Sequence, residues 1–311
     1  MQLKLIEIIG LGCLAHGRHG SIEPGGRFRL RQAALQAISP SANTKSQPLP
    51  HYQPHYLPHY LQPHLMSSTD QSRQREYYRA TAATYHERHV AEQDEHGLAL
   101  ELLVLLVRHH GVADSFLDVG AGTGRAMKAL ATAFPQALVQ GIEPVAELRL
   151  QAELLHGISG ADLRDGDALQ LPYADDSFDY VVETGVLHHI RDWPRAVAEM
   201  ARVARYGVLI SDTNNIGQGS AWARKIKKLI KKLGLWNLLV WVQTKGKMSK
   251  WSEGDGLYYS FCAFDALPLL RRKFEQVQLM NTLGSGQADL LGSVSHVAIV
   301  ARRNKPVPAA E

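Results

Sequence analysis

The 311-residue sequence predicts an α/β fold: a doubly wound, mostly parallel seven-stranded sheet with an antiparallel strand pair at one edge. Three observations predict it. Short apolar runs alternate with amphipathic stretches from 115 to 212, the pattern of parallel strands joined by right-handed crossover helices. A glycine-rich turn leaves the first of those runs and enters a helical pattern. Two further apolar runs, 275–283 and 295–302, close the sequence with no helical pattern between them, which reads as an antiparallel pair.

The elements follow in order. Residues 1–65 lack sustained periodicity and end in a near-repeat, His51-Tyr-Gln-Pro-His55-Tyr-Leu-Pro-His59-Tyr-Leu-Gln-Pro-His64. Proline at that density blocks helix and sheet, so a disordered or non-native leader is expected, with Met66 reading as a start. The histidines of the repeat could hold a metal, but a solvated coil is the plainer reading. A polar helix bearing Tyr77, Tyr78 and Tyr85 is expected over about 71–92, and an apolar helix over 97–109. Strands are expected at 115–119, 138–142, 160–164, 179–183 and 207–212, and helices at 124–133, 145–155, 193–204 and 262–273. One domain over 66–303 results, with an N-terminal helical lid (71–110), an insertion (213–257) and a flexible tail (304–311).

Charge is unevenly placed. The formal net charge is +4, but residues 1–65 carry six Lys/Arg against two acids, which leaves the remainder neutral. Residues 213–252 hold nine Lys/Arg and no acid. The protein is therefore a neutral body with one strongly basic segment. Two cysteines, Cys13 and Cys262, build neither a disulfide framework nor a zinc site, and no metal is expected. No apolar run reaches the 18 residues that suggest a membrane span. Residues 5–15 carry Glu7 inside their apolar run and are followed by a poor cleavage region, which argues against a signal peptide. A cytoplasmic location is expected.

The strongest motif is Phe116-Leu-Asp118-Val-Gly120-Ala-Gly122-Thr-Gly124. Glycines there permit positive φ and let a ligand approach the backbone closely. Dinucleotide enzymes use a related turn, but the G-x-G-x-G spacing is one residue shorter than theirs. Asp118 would also repel a pyrophosphate, whereas it suits a ligand carrying ammonium or sulfonium charge. Glu143, nineteen residues after Gly124, is placed to accept two ribose hydroxyls at the end of the second strand.

These residues, with Gly166-Asp167-Ala168-Leu-Gln-Leu-Pro172 and Asp176-Ser-Phe-Asp179-Tyr-Val-Val-Glu183-Thr184-Gly-Val-Leu-His188-His189, resemble class I S-adenosylmethionine-dependent methyltransferases. The resemblance is nearest to the ubiquinone and menaquinone methyltransferase-like group. It spans about 75–212 and the closing strand pair, and it implies a Rossmann-like fold, S-adenosyl-L-methionine as cofactor and methyl transfer as activity. It also implies roles. Asp118 and the turn of Gly120, Ala121, Gly122 and Gly124 would hold the methionine moiety, and Glu143 the ribose. Asp167 would bind the adenine amino group, Ala168 and Leu169 would flank the ring, and Glu183 and Thr184 would line the pocket near the methyl group. Glu183 departs from the pattern, where a small polar residue is commoner, so its role is open.

In such chemistry the cofactor supplies the reactive carbon, and the protein binds, orients and excludes water. A base is needed only for an acceptor that must lose a proton. His188, His189 and Asp212 are the candidates, against the alternative that the histidine pair is structural.

The basic insertion bears on the acceptor. In 221–243, Trp222, Ile226, Leu229, Ile230 and Leu233 fall at helical spacing among five lysines, and the apolar run continues to Trp241. Peripheral contact with an anionic inner-membrane surface is one reading, and a lid helix packing its apolar face on the domain is the other. Ser252–Ser260 reads as a polar, glycine-rich loop near an acceptor pocket. The expected acceptor is a small or lipid-linked molecule, such as a glycan intermediate or a quinone-like ring. The alternatives are an RNA-modifying methyltransferase and a non-catalytic protein that keeps the fold. Nucleic acid is the less favoured partner, since no recognised binding motif accompanies the lysines.

Overall fold

The computed structural model describes residues 68–90, 94–111, 113–283 and 289–304. The expectations placed on 1–65, on Met66 and on 305–311 lie outside the described residues. The helices are α1 Ser68–His89, α2 Glu95–His110, α3 Arg125–Ala133, α4 Ala146–His156, α5 Trp193–Val203, α6 Ala221–Lys232, α7 Trp236–Gln243, α8 Leu267–Leu270 and α9 Leu290–Ser293. The strands are β1 Ser115–Val119, β2 Leu138–Ile142, β3 Leu163–Arg164, β4 Phe178–Thr184, β5 Ala204–Thr213, β6 Ser249–Ser252, β7 Gly256–Tyr259, β8 Gln276–Asn281 and β9 His296–Arg302.

Seven strands form one sheet in the order β3-β2-β1-β4-β5-β9-β8. β1 to β5 pair in parallel, while β9 pairs antiparallel with both β5 and β8. The predicted doubly wound sheet with its antiparallel edge is therefore present. β6 and β7 form a separate hairpin.

Side-chain alternation explains why the central strands read as continuous apolar runs. Phe116, Tyr180, Val182, Leu209, Ala298 and Val300 point to one face and pack under α2 and α3. Leu117, Val181, Val208, Ile210, Val297 and Ile299 point to the other and pack on α5. Both faces are covered, so both strand periods must be apolar. Each fully buried aliphatic side chain contributes about 1.5–3 kcal/mol relative to exposure. Asp179, also buried, ties strand starts together: its Oδ2 accepts from the amides of Asp114 and Ser115 at 2.8 and 3.2 Å, and Arg205 pairs with Oδ1 at 2.9 Å.

Capping sets the ends of α2. The Asp94 side chain accepts from the amides of His96 and Gly97, and Gly111 closes the helix at φ 84°.

Four segments differ from expectation, the first being the single-turn helix α9, which stands between β8 and β9 where no helix is expected. The helix expected over 262–273 is a 3-10 turn, Ala263–Ala266, followed by the single turn α8. Pro268 has no N–H to donate and cannot continue an α-ladder through that point. The polar loop expected at Ser252–Ser260 is largely the turn and second strand of the β6–β7 hairpin, with Gly256 at φ 71°. In α6 the apolar residues divide, with Ile230 packed on the core. Trp222, Leu229 and Leu233 face solvent, while Lys227 is buried and donates to the carbonyls of Asn215 and Gln218 at 2.8 and 3.2 Å. Lys231 reaches Asp265 at 2.7 Å. Among the described residues, no helix is long and apolar enough to cross a membrane.

Candidate active site

The sheet order reverses between β1 and β4, and the ends of those strands diverge there. In doubly wound sheets this switch point opens the crevice that takes a ligand. Here it opens a cleft of about 980 Å³, open space at its mouth included, floored by Gly120, Gly122, Glu143, Thr184, Gly185 and Val186. Gln74, Arg75, Tyr78 and Tyr85 of α1 and Tyr259 of β7 cover it, and Gly166, Asp167 and Ala168 form one end.

The glycine turn is clamped to β2. The amides of Gly120 and Ala121 donate to the Ile142 carbonyl at 2.9 and 3.0 Å. A β-carbon on Gly120 would meet Val186 at 2.6 Å, whereas one on Gly122 would point into the cleft, 3.6 Å from the Tyr85 ring. The turn is thus packed on one side and open on the other.

Glu143 is buried at the end of β2, with Oε2 accepting from the Gly122 amide at 3.0 Å and Oε1 from the Val145 amide at 2.9 Å. Each oxygen keeps a lone pair for a further donor. Burial pushes its pKa up to about 7, against the pull of those two amides. Asp118, at 1% exposure, lies behind the turn rather than in the cleft wall. Neither carboxylate oxygen has a hydrogen-bond partner in the structure, and burial, only partly offset by Arg125, pushes its pKa up to about 7. A buried carboxylate in that condition lacks a donor or a cation. Asp167 sits half-buried at the rim, its Oδ1 accepting from the Leu169 amide at 2.9 Å and its Oδ2 3.5 Å from Arg75.

The remaining sequence candidates, His189 excepted, fall into a layer behind the cleft wall. Ala121 and Gly124 hold the turn without lining the cleft. Glu183 is fully buried at 0% exposure and is also absent from the wall. Its Oε2 accepts from the Val186 amide at 2.9 Å, while burial and the neighbouring Asp212 charge hold its pKa well above the usual carboxylate range. His188 lies between two carboxylates, with Nδ1 2.8 Å from Asp212 Oδ1 and Nε2 3.2 Å from Asp255 Oδ2. Burial alone would lower its pKa, but the two acids hold it well above the ordinary histidine value. The same contacts outweigh burial at Asp212, whose pKa falls to about 2.

His189 lines the cleft. Its Nδ1 donates to the Leu257 carbonyl at 2.7 Å, which leaves Nε2 facing the Tyr78 hydroxyl at 2.8 Å. The two histidines thus have different environments: His188 is clamped between two buried or half-buried carboxylates, and His189 lines the cleft with Nδ1 on the Leu257 carbonyl and Nε2 beside the Tyr78 hydroxyl and Asp255 Oδ1.

Asp255 and Gln74 were not singled out by sequence. Asp255 stands at the β6–β7 turn and bonds both histidines, with His189 Nε2 3.3 Å away. Gln74 accepts from the Leu257 amide and donates to the Asp255 carbonyl, joining α1 to the hairpin. The Asp255-Gly256 pair is itself a hairpin signal, which could have located the turn but not its target.

Residues 117–211 match the methyltransferase domain family model. The chain carries a class I S-adenosylmethionine-dependent methyltransferase domain. The methyltransferase segment is 34% identical over 96 residues to a demethylmenaquinone methyltransferase of Roseiflexus sp., covering 30% of this chain and 40% of that protein. It is 36% identical over 110 residues to a malonyl-[acyl-carrier protein] O-methyltransferase of Methylococcus capsulatus, covering 34% and 40%. The chain thus spans well under half the length of these curated relatives. A magnesium protoporphyrin IX methyltransferase structure from Synechocystis is similar at 15% identity and a TM-score of 0.47, covering 76% of this chain and 97% of that one.

The methyltransferase cleft fits the domain's cofactor, S-adenosylmethionine. The orphaned Asp118 carboxylate suits its ammonium group, the spare lone pairs of Glu143 suit its ribose hydroxyls, and the open side of Gly122 admits it against the backbone.

Proposed function

We propose that the protein is an S-adenosylmethionine-dependent methyltransferase acting on a small or lipid-linked acceptor, a glycan intermediate or a quinone-like ring being of the expected kind. The observation that supports this most is the placing of Gly120, Gly122 and Glu143 on the cleft floor at the β1–β4 switch point, with the unpartnered Asp118 buried behind the turn. The relatives named above are a demethylmenaquinone methyltransferase and a malonyl-[acyl-carrier protein] O-methyltransferase, which is in keeping with acceptors other than nucleic acid.

Bound in the cleft, the cofactor supplies an electrophilic methyl group on a sulfonium centre. The chain's residues do the rest. Asp118 and the turn hold the amino-acid end, Glu143 accepts from the ribose, and Asp167 with Ala168 holds the adenine. Glu183 lies behind the wall rather than in it, its pKa raised by burial and the Asp212 charge, and its Oε2 holds the Val186 amide. Gln74, Tyr78 and Tyr85 close the cleft from above and exclude water. His189, the member of the pair that lines the cleft, is the base candidate for an acceptor that must lose a proton, its Nε2 being shared in the free protein with the Tyr78 hydroxyl and Asp255. His188 already holds both ring nitrogens against acids and serves to position Asp255 and the hairpin.

Incubation with methyl-labelled cofactor and three separated cell fractions tests the acceptor class. Label in the lipid-soluble or small-molecule fraction is the expected result. Label confined to RNA, or cofactor binding with no transfer to any fraction, contradicts it.

A further inference from the structure

α6 and α7 present apolar side chains to solvent and basic ones around them. Ser220 caps α6 by accepting from the Ala223 amide, so the helix is well formed rather than frayed. Its outward face carries Trp222 at 72% exposure, Lys225, Leu229 and Lys232, and Leu233 follows at its end. Its inward face is anchored by Ala223, by the buried Lys227 and by the Lys231–Asp265 pair. α7 packs beside it, burying Trp236 and Val240 and exposing Leu238 and Trp241, the latter at 56%. A soluble helix normally spends its apolar stripe on its own core. Here Ala223, Ile230 and the two lysine anchors hold the inner face of α6, and Trp222, Leu229 and Leu233 are left outward.

We infer that α6 and α7 dock the protein on an anionic lipid surface. Exposed apolar groups this numerous on neighbouring helices mark an interaction site. The charge around them selects the partner. Lys225, Lys232, Lys245 and Lys247 are exposed, and 213–252 contains no acid. A second copy of this positive surface would repel the first. Nucleic acid would engage the lysines but gain little from Leu229, Leu233 and Leu238, which offer no stacking plane. An acidic bilayer surface satisfies both features, with tryptophan and leucine in the interfacial layer and lysine at the headgroups. The chain runs from α7 into the β6–β7 hairpin, whose Asp255 and Tyr259 reach the cleft. Docking therefore brings the cleft's cover to the bilayer. This binding stands independently of methyl transfer.

Co-sedimentation of the full chain with phosphatidylglycerol-containing vesicles and with pure phosphatidylcholine vesicles tests the inference. Binding to the anionic vesicles is expected, weakened several-fold by 0.5 M salt and by removing the anionic lipid. The Trp222→Ala/Trp241→Ala variant should lose about tenfold or more of that binding, while its calorimetric affinity for S-adenosylmethionine stays unchanged. Absence of vesicle binding by the folded protein overturns the inference. So does binding that the tryptophan pair leaves untouched, a dimer in sedimentation that the same variant dissociates, or RNA binding that outcompetes the vesicles. Loss of cofactor binding in the parent chain would count against the methyltransferase reading instead, and leaves the vesicle result to stand by itself.

Discussion

His188 Nδ1 lies 2.8 Å from Oδ1 of Asp212, and both groups are buried beside the cleft. Because Asp255 meets the other ring nitrogen, His188 is a cation at neutral pH. Its folded pKa exceeds the unfolded 6.5, so its contribution to stability is complete below 6.5 and is lost as pH rises through the folded value. Asp212→Asn should lower the His188 pKa and destabilise the protein by about 3–5 kcal/mol, as breaking one partner of a buried pair does. Nuclear magnetic resonance titration of the imidazole checks the first and denaturant unfolding the second. A His188 that titrates near 6.5 in the parent protein would refute the clamp.

Asp118 makes a different prediction. Its pKa rises from 3.8 to about 7 on folding, which corresponds to a destabilisation of up to about 4 kcal/mol once it is ionised. For a raised carboxyl the sign is opposite to that of a salt-bridged one: stability falls as pH climbs from 3.8 towards 7. Asp118→Asn should therefore raise the melting temperature at pH 8, with little effect at pH 4, while weakening the cofactor by about tenfold or more. Thermal scans at both pH values, paired with calorimetry, separate the two effects.

The same two raised acids set a pH dependence. Asp118 and Glu143 both lie at about 7 in the free protein. Cofactor binding needs both ionised, so affinity should increase as pH rises from 6 to 8. A flat profile over that range contradicts the assigned contacts.

Two glycine variants discriminate packing from binding. Gly120→Ala places a β-carbon 2.6 Å from Val186 at a φ of 72° and should cost about 1–3 kcal/mol of stability. Gly122→Ala carries backbone strain alone, at φ 54°, but fills the open side of the turn. Its unfolding free energy should fall by only about 1 kcal/mol, while its cofactor affinity falls much further. Equal losses of stability in the two variants would argue that Gly122 is structural.

His189 and His188 should also separate kinetically. His189→Ala is expected to lower the rate of transfer to an acceptor that must lose a proton by about 10²–10⁴, with cofactor affinity nearly unchanged. His188→Gln should instead weaken the hairpin's hold and change acceptor KM more than kcat. The reverse pattern would reassign the base.

The central sheet was legible because strands covered on both faces must be apolar at every position, as Phe178–Glu183 and His296–Arg302 are nearly throughout. The cofactor half of the site was legible because its groups lie at the ends of β1 and β2, where local sequence sets their position. The other half was not. Asp255 reaches His188 only because an insertion 67 residues along folds into a hairpin over it. The periodicity of α6 announced an amphipathic helix but not which face lies inward; Lys227 and Lys231 took that face because carbonyls of Asn215 and Gln218 and the Asp265 carboxylate wait there. The division of labour between His188 and His189 likewise depends on partners from three separate segments, α1, β5 and the β6–β7 hairpin.

Calorimetric titration of S-adenosylmethionine, S-adenosylhomocysteine and NAD into the full chain, beside Asp118→Ala, tests the central claim most directly. The account predicts that both adenosyl ligands bind, that NAD does not, and that the variant loses about tenfold or more of the affinity. A folded protein that binds neither adenosyl ligand, or binds NAD in their place, would contradict it.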